Sequence, residues 1–168
     1  ASVCVAAGSS AASTVYKRQV LQRTVRWLVY RYVDETPRAP ALRRLAKLAE
    51  ASVEATAASL RRLHDSHALV LHPGGPDREP RVWMAHPFSD VPTLYAVDTA
   101  DRQYSVNCAW DALALPPLLG VDAEIRARNP SSGEPMHLEV KAGSLQPTTT
   151  LMHFVVPAAH FWDDIGRT

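Results

Sequence analysis

With only two cysteines, Cys4 and Cys108, the chain cannot build a disulfide framework. Its fold must rest on an apolar core, and a reducing, cytoplasmic setting with free thiols is expected. No apolar run approaches the roughly 18–20 residues of a membrane span, so no membrane partner is expected. The opening ASVCVAAGSSAAS has no basic residue ahead of its apolar stretch, which argues against a signal peptide. Residues 1–15 read as a loose tail that contains Cys4. None of the seven histidines forms a pair such as H-x-x-x-H, so no zinc site is legible. His137 and His153 alternate with apolar strand residues and read as structural or surface groups. Neither a glycine-rich phosphate loop nor a G-x-S-x-G elbow is present.

What is there is globular. Hydrophobic residues are 46% and charged residues 21% of the chain, the balance of a protein with one core or two small ones. The net charge of +1 conceals an asymmetry. Residues 1–72 hold 11 Lys/Arg against 5 Asp/Glu, whereas residues 73–168 hold 7 against 12. Two parts with different roles are expected.

In the basic part, Val20, Val25, Leu28, Val29 and Tyr32 recur at helical spacing across Tyr16–Tyr32. Two prolines in DETPRAP stop that helix. A second helix is expected from Ala41 to Glu50 on the stripe Leu42, Leu45, Ala46, Ala49. A third, Val53–Asp65, is capped by Ser52, with Val53, Thr56, Leu60 and Leu63 inward. ALVL (68–71) and RVWM (81–84) flank a turn and read as strands. Three helices followed by a hairpin is the order of a winged helix-turn-helix. Arg61, Arg62, Arg43, Arg44 and Lys47 suggest DNA. The third helix is nevertheless alanine-rich, and it lacks the amides that read base edges. Tight DNA binding is therefore not expected.

In the acidic part, PTLYAVDTADRQYS reads as strand, turn, strand. Asn107 then caps a short helix, Cys108–Leu115, ended by Pro116 and Pro117. VDAEIRAR and PMHLEVKAG form two strands around NPSSGE, and Leu151–Val156 a third. As first residue of its helix, Cys108 would have its thiol pKa lowered by the helix dipole. Asp111, three residues on, shares its face. A soft sulfur and a carboxyl together can hold a soft metal or electrophile and move a proton at it. A buried cysteine beside a helix-end acid fits the same spacing.

The stretch NCAWDALALPPLLGVDAEIRARNPSSGEP, with YAVDTADRQYSV before it, resembles the alkylmercury lyases. The shared features are Cys108, Ala109 and Asp111 in C-A-x-D, then Leu113, Pro116, Leu118 and Gly120, then Ser132, Gly133 and Pro135. VVPAAHFWDDI resembles the segment preceding the family's second cysteine, which is expected immediately beyond Thr168 together with a closing strand. The likeness is close over 92–168 and looser over 16–88. It implies an α+β chain: a winged-helix-like helical domain at 16–88, then a small, mostly antiparallel β domain at 89–168 whose C-terminal end lies outside these residues.

The resemblance also implies protonolysis of a carbon–mercury bond. Cys108 is then the mercury-binding thiolate, and Asp111 is the proton donor and a second ligand to the metal. No cofactor is required, Hg(II) is the bound product, and small thiols remove it. The substrate would be an organomercurial or another small molecule. A non-lyase relative remains the alternative. It would be a winged-helix protein binding a soft metal or small molecule, with a regulatory output, or an enzyme of a biosynthetic pathway using the same Cys/Asp pair. A homodimer is compatible with either.

Overall fold

The computed structural model describes residues 7–74, 78–154 and 156–166, with side chains from Ala12 onward. Cys4 lies outside the described residues. The chain divides into two compact units between Val82 and Trp83, a few residues before the boundary expected from sequence.

The first unit holds α1 (Ala7–Glu35), α2 (Leu42–Leu48), α3 (Val53–Asp65) and β1 (Val70–Leu71). α1 starts well before Tyr16, so the expected tail is helical from Ala7. Alanine and serine carry the helix locally, and every side chain from 12 to 20 remains exposed. Burial begins at Val25, Leu28, Val29 and Val33, which pack with Leu42, Leu45, Leu60 and Leu63 in one core. Ser52 caps α3 as expected, its Oγ accepting from the Ala55 N–H at 3.1 Å. Two buried hydroxyls, Thr56 and Ser59, donate to the carbonyls of Ser52 and Ala55 (both 2.9 Å) and so leave no polar penalty in this core. The His72 N–H donates to the Arg81 carbonyl at 2.9 Å, closing the turn expected between the two strands.

β2 (Val82–Ala85) leads into the second unit and pairs antiparallel with β3 (Phe88–Ser89). There follow β4 (Tyr95–Asp98), β5 (Gln103–Ser105), α4 (Ala109–Leu119), β6 (Ala123–Arg128), β7 (Pro135–Lys141) and β8 (Ser144–Leu145). The five strands order as β5-β4-β6-β7-β8, antiparallel throughout. β6 alternates strictly: Ala123, Ile125 and Ala127 point inward and are buried, while Glu124, Arg126 and Arg128 are exposed. On the outer face Arg126 grips Asp98 with Nε at 2.5 Å and Nη2 at 3.0 Å. This bidentate pair holds the Asp98 carboxyl below the ordinary carboxylate range.

α4 covers the inner face of β4, β6 and β7. It runs through Pro116 and Pro117, which were expected to end it. Both prolines sit in the last turn, so only two intrahelical N–H groups are lost. The end is closed by the Val121 N–H on the Pro116 carbonyl (3.1 Å) and the Gly120 N–H on the Pro117 carbonyl (3.3 Å). That is the Schellman arrangement, with Gly120 left-handed at φ 69°. Of the third strand expected at Leu151–Val156, the described residues 151–154 carry no strand pairing. β8 pairs along the outer edge of β7 instead. Leu115 is fully buried under α4. Leu115→Ala should therefore lower stability by about 2–5 kcal/mol, read from the denaturant midpoint. A loss under ~1 kcal/mol would mean that α4 is not seated on the sheet.

Candidate functional site

The start of α4 collects the polar groups of the second unit. Cys108 is the N-cap, with extended backbone (φ −150°, ψ 178°), rather than the first helical residue. Its Sγ accepts from the Asp111 N–H at 3.5 Å. Sulfur thus takes the capping place given by the sequence to Asn107. The Asn107 carboxamide turns back instead. Its Nδ2 lies 3.0 Å from Asp111 Oδ2, 3.0 Å from the Pro87 carbonyl and 3.2 Å from the Phe88 carbonyl. Three oxygen neighbours fix the nitrogen in that position, since an amide oxygen there would face three acceptors. His86 completes the group: its Nδ1 stands 3.4 Å from Asp111 Oδ2 and 3.2 Å from Asn107 Nδ2. The Asp111 residue is only 8% exposed, so its carboxyl depends on these partners rather than on bulk water.

The structure therefore brings Cys108 and Asp111 together, as the spacing requires, and adds His86, Asn107 and Tyr95. Burial first, and then the nearby Cys108, push the Tyr95 phenol up. On the other side Trp162 meets His86 edge-on, with ring centroids 6.4 Å apart. Trp110, Phe154 and Phe161 form an aromatic chain with centroid distances of 6.3 and 6.0 Å. An open, largely apolar cavity of about 330 Å³ adjoins the helix start, lined among others by Tyr95, Ala109, Leu113, Ile125, Met136 and Met152.

The thiol differs from expectation. Burial pushes the Cys108 thiol up from its ordinary value, and the neighbouring Asp111 carboxyl adds to this. The N–H groups of Asp111 and Trp110 act in the opposite direction and do not win. A helix N-terminus lowers a thiol's pKa only when the sulfur keeps its solvation. Alkylation of Cys108 against pH should show a midpoint above the roughly 8.5 of a free thiol. Asp111→Asn removes a negative neighbour, so it should shift that midpoint downward. A midpoint at or below that of a free thiol would contradict this electrostatic picture.

Among the described residues, no three His, Cys, Asp or Glu side chains gather as a metal site. The Cys108–Asp111 pair is what the site offers a soft metal: one sulfur and one carboxyl. His137 and His153 are exposed, and His153 is among the residues lining the cavity.

Residues 88–168 match the family described as alkylmercury lyase. Among solved structures, the chain is similar to the mercury-bound form of MerB2, with a TM-score of 0.55 and 18% identity. The similarity covers 77% of this chain and 66% of that one, so the chain spans just under two thirds of its neighbour's length. At this identity the likeness shows a shared fold. No curated protein matches the chain.

Proposed function

Because residues 88–168 belong to the alkylmercury lyase family, we propose that the protein cleaves carbon–mercury bonds by protonolysis at Cys108 and Asp111. The observation that carries this reading is the capping contact. The sulfur sits 3.5 Å from the backbone N–H of the same residue whose buried carboxyl supplies the acid.

The chemistry follows from the thiol being held in its protonated form. An organomercury cation displaces the thiol proton, because a soft metal outcompetes H⁺ for sulfur even where burial opposes a free thiolate. The displaced proton passes to the Asp111 carboxylate beside it. Asp111 then returns it to the mercury-bound carbon. The electron pair of the C–Hg bond forms the new C–H bond, the hydrocarbon leaves, and Hg(II) stays on the Cys108 sulfur with the Asp111 carboxylate as counter-ligand. Small thiols carry the metal away. The cavity beside Ala109 and Tyr95 takes the organic group. An assay of benzene released from phenylmercury(II) acetate tests the reading; retention of intact phenylmercury without benzene would leave only a binder.

The first unit has three helices followed by the short strand β1, the helical part of a winged-helix arrangement. Arg61 directs Nη2 to the Arg78 carbonyl at 3.3 Å, so part of its donor capacity is spent within the unit. Titration with mixed-sequence duplexes should give weak, salt-sensitive association at most. Nanomolar affinity for a discrete site at physiological salt would favour a regulator instead. No helix among the described residues is long and apolar enough to cross a membrane. Cytoplasmic action fits a site that depends on a reduced thiol.

A further inference from the structure

The carboxyl of Asp111 has two oxygens, and its hydrogen bonds to side chains both end on the same one. Asn107 Nδ2 reaches Oδ2 at 3.0 Å and His86 Nδ1 reaches it at 3.4 Å. We infer that His86 is a positioning residue: together with Asn107 it holds Oδ2 from a second direction, so that Oδ1 is the oxygen turned toward the sulfur. This inference rests on the lyase reading of the same site.

The donor inventory supports the assignment. Asn107 Nδ2 has two hydrogens, and its shortest acceptors are Asp111 Oδ2 and the Pro87 carbonyl, both at 3.0 Å. Those two use both hydrogens. The 3.2 Å approach of Asn107 to His86 Nδ1 is then a contact without a proton, and Nδ1 keeps its own hydrogen for Oδ2. A single N–H would leave the carboxyl free to swing about that one bond; two donors from separate chain segments fix its plane. Asp111 is nearly buried, so water cannot supply the second donor cheaply. The contact of 3.4 Å is at the long end of a hydrogen bond. His86 is itself steadied by the edge of Trp162.

The role requires a donor at the Nδ1 position and nothing that titrates. His86→Asn places an amide nitrogen there, while His86→Leu fills the volume beside Trp162 without donating. Benzene release from phenylmercury(II) acetate, with kcat and KM measured separately, decides between outcomes. His86→Leu should lower kcat by about 10- to 100-fold, the usual cost of a mis-set reacting group, while KM stays near the wild-type value. His86→Asn should recover most of the rate. If both variants are equally slow, the imidazole acts in some way other than as a positioned donor, and the inference fails. It also fails if His86→Leu retains the wild-type kcat. In either case a wild type that releases benzene leaves the lyase reading standing. A wild type that releases none overturns both. Should His86→Leu not fold, His86→Asn against His86→Asp, equal in shape but opposite in donor character, gives the same comparison.

Discussion

Cys108→Ser is expected to abolish both mercury retention and hydrocarbon release. The substitution keeps size and N-cap geometry, since a serine oxygen accepts from the Asp111 N–H at least as well as sulfur does. The fold should therefore survive, which separates this variant from a merely destabilised one. What changes is ligand softness. A hydroxyl is hard and stays protonated, and Hg(II) has little affinity for it beside competing thiols. Mercury remaining on the protein after gel filtration in dilute thiol should fall to background. Retention at the wild-type level would move the metal to another residue and remove Cys108 from the mechanism.

Asp111→Asn should separate binding from cleavage. The amide matches the carboxyl in shape and can still receive the Asn107 N–H through its oxygen. It cannot take up the thiol proton or return it to carbon. Cys108 remains, with a thiol easier to ionise because a negative neighbour has gone, so phenylmercury should bind at least as readily. Cleavage should fall by roughly 10²–10⁴-fold, the range for removing a positioned proton donor. An unchanged rate would reduce Asp111 to a capping acid at the helix start.

Much of the fold was legible because its signals are local. Ser52 ahead of a 3.6-residue apolar stripe marks α3 to the residue, and strict alternation marks β6. Where the expectation failed, the deciding interaction was elsewhere in the chain. Pro116 and Pro117 look like a helix stop, yet the backbone closure at Gly120 lets the last turn absorb both. The apolar, β-branched run at Leu151–Val156 reads as a strand, but the described residues 151–154 pair with no strand and β8 is what pairs with β7. Residues 7–15 lack an apolar face and read as a tail, although helix propensity alone suffices to extend α1 through them.

The site divides the same way. Cys108 and Asp111 are legible because they stand three positions apart, on one turn. His86 lies 25 residues from Asp111, and no spacing rule connects them. Asn107 carried a misleading local signal: an asparagine before a helix reads as a cap, while the backbone carbonyls of Pro87 and Phe88, invisible in the sequence, claim its amide. The thiol departs from the sequence expectation for a related reason. Helix position is written in the sequence, but the burial that outweighs it is not.

The most direct measurement follows both halves of the substrate in one experiment. Wild-type protein is loaded with phenylmercury(II), and benzene in the headspace is determined alongside mercury on the protein, before and after a small thiol is added. Benzene should appear in proportion to the mercury retained, with Hg(II) leaving only when the thiol arrives. Mercury held on Cys108 with its phenyl group intact and no benzene would contradict proton delivery by Asp111.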